Sequence, residues 1–201
     1  MNQNTSDREL GGETGKLPLE GRKIESLDDI PREIADRRLH AEFGENISSE
    51  KADKIRENPD RMEKKEAFEE SAKKAGMEQT EGVLGWSTGL ESPAHVLKGE
   101  VPEEIATLVH EDLHRLTHPG TLHEMTGSAA LRNLYEGITE YLAGNAVEGL
   151  HDYQSGRSYP QQVEAAKHLA NEVGDDNLRA FFFKHEMADA VASAIDHLGL
   201  G

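Results

Sequence analysis

The residues with the clearest chemistry are two histidines four positions apart, with a glutamate directly after the first. This stretch reads HEDLH and runs from His110 to His114, with Glu111 second. Side chains four apart on a helix lie one above the other, so both imidazoles can point at one zinc ion at about 2.1 Å each. Glu111 is rotated by about 100° from His110, beside the ion and next to a water bound there. The spacing predicts a helix that binds zinc and activates water for attack on a carbonyl.

The plain alternative is a solvated helix face that carries two histidines without a metal. With 10 histidines and 27 glutamates in 201 residues, about 0.07 occurrences of this pattern are expected by chance. A third ligand must therefore decide between the two interpretations. The chain contains no cysteine, so this ligand has to be a histidine, an aspartate or a glutamate.

Three places in the sequence could supply the third ligand. His118 continues the same row, but on a straight helix it lies roughly 12 Å from His110, so it would serve only where the helix breaks. His123 follows in a polar stretch and is not excluded by geometry. Glu136 and Glu140 lie one turn apart on a second predicted helix, so Glu136 can bind the ion while Glu140 accepts a ring N–H from a ligand histidine. We favour this acidic pair as the source.

These two motifs together resemble those of a known class of enzyme. With HEDLH at residues 110–114 and EGITE at residues 136–140, the chain resembles the gluzincin metallopeptidases, the thermolysin-like branch of the zincins. Those enzymes carry His-Glu-x-x-His on one helix and, some twenty or more residues later, Glu-x-x-x-Asp/Glu on the next. Here the second motif begins 22 positions after the second histidine. The resemblance covers about residues 82–145.

The resemblance implies a function and a role for each side chain. The function is zinc-dependent hydrolysis of peptide bonds in a protein or peptide substrate, and the small size is similar to that of compact bacterial effector and toxin peptidases. The implied roles are zinc ligands for His110, His114 and Glu136, general base for Glu111, and acceptor of a ligand N–H for Glu140. The chain departs from the family at Tyr135, where an asparagine usually precedes the third ligand, and it is short for an enzyme with a full C-terminal lobe.

Two further questions stay open in the sequence. The oxyanion of a tetrahedral intermediate needs a hydrogen-bond donor besides zinc, and the candidates after the second helix are His151, Tyr153 and Tyr159, of which we select Tyr159. The alternative function is a zinc-stabilised interaction or regulatory domain without catalysis. Glu111 argues against that alternative, because a purely structural site has no use for a base beside an open coordination position.

The surrounding sequence predicts the elements that position these residues. Residues 101–120 form the clearest helix, because Pro102 and two glutamates suit its first turn and Pro119-Gly120 ends it. Glycines among Val, Leu and Trp predict two short strands within residues 82–97. Further helices are predicted at residues 26–44, 59–76, 129–150 and, as two or three helices, from 160 onward, with a polar connection at 120–128.

These elements predict an α+β fold, a mainly helical zincin-like domain with a small sheet beside the active-site helix. We place this domain at residues 77–201, after a charged, partly helical N-terminal extension at residues 1–76. The two helices of the extension are expected at the periphery, because their apolar positions are few. By the resemblance, residues 82–89 form an edge strand that pairs with an extended substrate.

Charge and hydropathy limit the partners and the location of the protein. The formal net charge is -17, and residues 76–201 contain 7 Lys and Arg against 20 Asp and Glu. This negative field repels nucleic acid, so we expect no nucleic-acid partner, and it keeps the protein soluble. No apolar run of about 18 residues is long enough to span a membrane, and residues 1–16 lack the apolar core of a secretory signal. The sequence predicts a protein that is cytoplasmic or exported without a cleaved signal peptide.

Overall fold

The chain forms a mainly helical α+β fold, which confirms the predicted fold class. The computed structural model describes residues 25–27, 29–150 and 159–201. In those ranges the elements are, in chain order, α1 (Asp29–Phe43), α2 (Ser49–Glu57), β1 (Arg61–Glu63), α3 (Lys65–Lys74), β2 (Gly85–Trp86), β3 (His95–Leu97), α4 (Val101–Leu116), α5 (Pro119–Met125), α6 (Ala129–Ala146), α7 (Pro160–Val173), α8 (Asp175–Lys184) and α9 (Ala188–Leu198). None of these helices is long and apolar enough to cross a membrane.

The three strands form one sheet in the order β1-β3-β2. The central strand β3 pairs in parallel with β1 and antiparallel with β2. β2 is therefore an edge strand of this sheet, and it packs beside α4. The two strands predicted within residues 82–97 are confirmed. The helix predicted over residues 59–76 is wrong at its start, because residues 61–63 pair with β3 and only Lys65–Lys74 are helical.

Helix α4 packs against both α1 and α6. Its side chains Leu108, Val109 and Leu113 are completely buried. Leu39 and Phe43, one turn apart on α1, are also completely buried and belong to the same hydrophobic cluster. Helix α1 is therefore not peripheral, contrary to expectation, and residues from the predicted extension share one core with the predicted domain of residues 77–201.

Two short helices are absent from the sequence-based prediction. α2 follows Ser48, whose hydroxyl accepts a hydrogen bond from the Lys51 backbone N–H at 3.3 Å. α5 occupies the stretch predicted as a polar connection, and His118 caps its first turn. Both helices are polar and short, so they lack the apolar periodicity on which helix prediction depends.

A buried ionic network holds the second half of α4. The Arg115 guanidinium donates to Asp60 Oδ1 at 2.6 Å, to Asp112 Oδ1 at 2.8 Å and to the Asn58 carbonyl at 2.8 Å. The exposed fractions of Arg115, Asp60 and Asp112 are 2%, 3% and 0%. Asp60 directly precedes β1, so this network fastens α4 to the start of the sheet.

We expect Asp60→Asn to lower the free energy of unfolding by about 3 kcal/mol, because it leaves the buried Arg115 guanidinium short of a countercharge. The measurement is urea-induced unfolding followed by circular dichroism. Asp53→Asn is the matched control, because Asp53 and Arg56 form an ion pair of similar length, 2.7 Å, with an Asp53 side chain that is 61% exposed. Surface pairs contribute little, and equal effects of the two substitutions would contradict the argument.

Candidate metal centre

Helices α4 and α6 bring two imidazoles and one carboxylate together. Nε2 of His110 lies 3.0 Å from Nε2 of His114. Oε2 of Glu136 lies 3.5 Å from the first of these nitrogens and 3.3 Å from the second. The three atoms thus form a triangle of nearly equal sides, and among the residues that the structure describes these are the only three acidic, histidine or cysteine side chains so grouped.

The size of this triangle matches one face of a metal coordination sphere. Zinc binds nitrogen and oxygen ligands at about 2.0–2.2 Å, and a tetrahedron with bonds of that length has edges of about 3.4 Å. The observed sides of 3.0, 3.3 and 3.5 Å lie around that value. His110, His114 and Glu136 can therefore hold a metal ion without a rearrangement of the two helices.

The second ring nitrogen of each imidazole, Nδ1, also contacts a polar side chain. Nδ1 of His110 lies 3.0 Å from Oε2 of Glu140, so the structure places Glu140 where the sequence predicted an acceptor. Nδ1 of His114 lies 2.9 Å from the hydroxyl of Tyr135. Such contacts fix the ring orientation and the tautomer of a ligand histidine. Tyr135 was missed as a contributor, and its only signal in the sequence is its position directly before Glu136.

The carboxylates around His110 change its proton affinity. Burial lowers the pKa of His110, but the hydrogen bonds that its ring donates to the Glu136 and Glu140 carboxylates outweigh burial and raise this pKa to about 10 in the absence of a metal ion. Burial also acts on the Glu136 carboxyl, yet the two imidazoles hold its pKa well below the ordinary value. Protons and metal ions therefore compete for the same three side chains.

The apparent affinity for a divalent ion is expected to rise with pH. Below about pH 10 the metal-free His110 carries a proton that must leave before Nε2 can bind an ion. Release of one proton makes the apparent dissociation constant fall about tenfold for each pH unit gained. Competition with a chromogenic chelator at three pH values between 6 and 9, corrected for the chelator's own protonation, measures this slope. An affinity independent of pH would contradict the raised pKa of His110.

Glu111 lies buried between α4 and the edge strand β2, with an exposed fraction of 6%. Burial raises the pKa of its carboxyl, against the opposing effect of His110 and His114. A Cβ added to Gly85 of β2 would lie 2.8 Å from Glu111 Cγ, 2.9 Å from its Oε1 and 2.6 Å from Thr107 Cγ2. Only a glycine at position 85 leaves room for Glu111 in this place, a requirement that the sequence does not reveal.

The predicted role of Glu111 as general base implies that Gly85→Ala reduces peptide hydrolysis about 100-fold with little loss of metal, because a displacement of a reacting group by about 1 Å costs that much. The measurement compares kcat/KM with metal content per chain. Gly99→Ala is the matched control, because the nearest neighbour of its added Cβ is the end of the Glu103 side chain at an ordinary 3.4 Å. Equal kcat/KM for the two variants would show that β2 does not position Glu111.

Tyr159 lies beside the candidate metal site at the start of α7. Its ring is nearly parallel to that of His110, with an interplanar angle of 13° and centroids 6.2 Å apart. Burial, reinforced by the charges of Glu136, Glu111 and Glu140, raises the pKa of Tyr159 to about 12. Its hydroxyl therefore keeps its proton at neutral pH and can donate it in a hydrogen bond. The other two oxyanion candidates, His151 and Tyr153, lie outside the described residues.

The remaining histidine candidates for the third ligand are elsewhere. His118 caps α5, where its Nδ1 accepts a hydrogen bond from the Gly120 backbone N–H at 3.1 Å, and its ring stacks on that of His185 at 5.4 Å. His123 is exposed on α5. Neither belongs to the group formed by His110, His114 and Glu136.

Comparison with known proteins adds no identification. No protein-family model, curated protein or solved structure matches the chain. The likeness to gluzincins therefore rests on the two motifs and stays a prediction. What the structure itself supports is the grouping of three side chains that can hold a metal ion.

Proposed function

We propose that the chain is a zinc-dependent metallopeptidase of the gluzincin type, with Glu111 as the general base. The observation that carries the proposal is the triangle of Nε2, Nε2 and Oε2 atoms with sides of 3.0–3.5 Å, directly beside a buried carboxylate. A structural metal site does not require such a carboxylate, whereas hydrolysis does. A role as an effector or toxin peptidase and a cytoplasmic or exported location stay predictions.

The donor set favours zinc in a catalytic role. Two histidines and one glutamate are the protein ligands of one class of catalytic zinc site, in which the fourth position stays open for water or substrate. When bound there, zinc polarises the substrate carbonyl and lowers the pKa of a water to about 7. The other parts of the reaction fall to side chains of this chain.

Glu111 takes up and returns a proton during hydrolysis of the peptide bond. Its raised pKa brings the carboxyl closer to neutral pH, where a general base is most effective. As the water oxygen forms its bond to the carbonyl carbon, Glu111 removes a water proton. It then passes that proton to the nitrogen as the carbon–nitrogen bond breaks, which releases an amine and a carboxylic acid. The acid then loses the second water proton to the solvent and becomes a carboxylate. The protonated Tyr159 hydroxyl donates a hydrogen bond to the oxyanion.

The edge strand β2 supports an extended peptide as the substrate. β2 pairs with β3 along one side and packs against α4 next to Glu111. A peptide that adds to the sheet alongside β2 would place its backbone carbonyls near the base, and main-chain hydrogen bonds would contribute affinity. This mode of binding follows the resemblance to zincins.

The second candidate function is a zinc-stabilised interaction or regulatory domain without catalysis. It is favoured by the location of the ligands on two core helices, because an ion shared by α4 and α6 would fasten them together. The two functions differ in whether the metal site turns over a substrate.

Zinc content and peptide hydrolysis, measured together, test the proposal. We expect about one zinc per chain by elemental analysis, and hydrolysis of a broad peptide library that a chelator abolishes and added zinc restores. A chain that binds no zinc would contradict both candidate functions. Zinc binding without hydrolysis of any library member would favour the interaction domain.

A further inference from the structure

Tyr135 connects His114 to Thr117 at the C-terminal end of α4, the helix that carries His114. This tyrosine is buried on α6, with an exposed fraction of 4%. Its hydroxyl lies 2.9 Å from Nδ1 of His114 and 2.9 Å from Oγ1 of Thr117. Thr117 caps α4, and its Oγ1 lies 2.9 Å from the carbonyl oxygen of Leu113. These contacts form a chain of three hydrogen bonds.

The Leu113 carbonyl, at one end of these three hydrogen bonds, determines which group donates in each of them. The Leu113 carbonyl has no hydrogen, so the single hydroxyl proton of Thr117 is donated to it. Thr117 Oγ1 can then only accept, so Tyr135 donates its single hydroxyl proton to Thr117. The oxygen of Tyr135 is left to accept from His114, which requires the imidazole proton to be on Nδ1.

We propose that Tyr135 and Thr117 are positioning residues that hold His114 in its Nδ1–H tautomer. In this tautomer the lone pair is on Nε2, the atom that faces Nε2 of His110 and Oε2 of Glu136. A backbone carbonyl of α4 thus determines, through two hydroxyl groups, which nitrogen of His114 is available to a metal ion. The consequence for ion binding rests on the proposed function, whereas the bond directions do not depend on any ion.

The two ligand histidines are held by different chemistry. Nδ1 of His110 donates to Glu140, a charged group that accepts in either of its orientations. Nδ1 of His114 meets a neutral hydroxyl, which could donate or accept if it stood alone. Only the second hydroxyl, that of Thr117, removes this ambiguity for Tyr135. The tautomer of His114 is therefore sensitive to a group that does not touch it.

Thr117→Val separates the hydrogen bond from the shape of the side chain. Without an acceptor on residue 117, the Tyr135 proton is free to point at Nδ1 of His114, and the imidazole can move its own proton to Nε2. We expect zinc affinity to fall about 10- to 100-fold, the usual effect of losing a partner behind a ligand histidine. Thr117→Ser keeps the hydroxyl and is expected to bind zinc with wild-type affinity. Tyr135→Phe removes the acceptor itself and is expected to weaken zinc binding as Thr117→Val does.

The matched control is Thr126→Val at the end of the next helix. Thr126 caps α5, and its Oγ1 donates to the Leu122 carbonyl at 2.7 Å, the same four-residue geometry as at Thr117. Thr126 lies at the end of α5, not of α4, so Thr126→Val is expected to leave zinc affinity unchanged. Circular dichroism and the unfolding midpoint of each variant identify any loss of affinity that is caused by unfolding.

The test combines nuclear magnetic resonance of the full chain with zinc titration. Long-range ¹H–¹⁵N spectra of the metal-free, ¹⁵N-labelled protein distinguish a protonated from a bare ring nitrogen, and His114→Gln assigns the signals. We expect a protonated Nδ1 in the wild type, and a loss of this preference in Thr117→Val. Bare Nδ1 in the wild type, or equal zinc affinity of Thr117→Val and Thr126→Val, would overturn the inference. If the wild type binds no zinc, the proposed function fails, while the tautomer in the metal-free protein still decides the inference.

Discussion

Glu111→Gln is expected to lower kcat/KM for peptide hydrolysis by about 10³-fold while zinc stays bound. Glutamine has nearly the same shape but cannot take the proton of the attacking water, and general-base catalysis contributes about 10²- to 10⁴-fold. Glu111 is not one of the three side chains grouped as ligands, so the metal content is expected to match that of the wild type. The measurements are kcat/KM on a peptide identified from a library and zinc per chain by elemental analysis.

Glu103→Gln is the control for this substitution, because Glu103 is exposed on the first turn of the same helix. It is expected to leave kcat/KM unchanged.

The two variants, Glu111→Gln and Glu103→Gln, should also differ in stability. Burial raises the pKa of Glu111 in the folded chain, so its ionisation destabilises the fold increasingly as pH rises above the ordinary glutamate value. Glu111→Gln is therefore expected to raise the unfolding midpoint at neutral pH, and an unchanged kcat/KM would remove Glu111 from the mechanism.

Glu136→Gln is expected to weaken zinc binding by on the order of 10²- to 10³-fold. Zinc sites in proteins bind with about 10–16 kcal/mol in total, so one charged ligand contributes a few kcal/mol. An amide oxygen is neutral and a poorer ligand than a carboxylate, and the imidazoles also lose the countercharge at 3.3 and 3.5 Å. Isothermal titration or chelator competition at fixed pH gives the dissociation constant.

Glu140→Gln is the matched variant for Glu136→Gln, because both change one acid to an amide on α6. Oε2 of Glu140 lies 3.0 Å from Nδ1 of His110. The amide oxygen of the substituted side chain could still accept the Nδ1–H in that place, so we expect a loss of only about tenfold. The dissociation constants of the two variants therefore distinguish Glu136, the proposed ligand, from Glu140, which contacts His110. If Glu140→Gln weakened binding more than Glu136→Gln, the roles of the two acids would be reversed.

Local sequence was sufficient to predict the helices that carry the site. Helix α4 has a proline and acids at its start and apolar residues along one stripe, and these signals act within a few turns. The spacing of His110, His114 and Glu136 then predicted which side chains could meet, and the structure brings these three together. A four-residue spacing is informative because a helix converts it directly into one shared face.

The groups that were not predicted depend on contacts between distant segments. Gly85 is special only because β2 passes against Glu111, and Tyr135 only because α6 packs so that its hydroxyl reaches α4. In the same way, residues 61–63 form a strand because β3 lies alongside, more than thirty positions later. No local pattern encodes such pairings, since the partner and its orientation are set by tertiary packing.

For the peptidase proposed above, the burial of Arg115 limits how proteolysis could activate it. Many peptidases are made as inactive precursors that lose an N-terminal segment, and residues 1–76 would be the natural candidate for removal. Yet Asp60 is a partner of Arg115, and Leu39 and Phe43 pack in the cluster that buries α4. Loss of the segment up to α3 would remove both, which leaves Arg115 paired with Asp112 but not with Asp60 and exposes an apolar face of α4 to water. A proteolytic activation compatible with this core would have to cut before α1, leaving the chain from Asp29 onward intact.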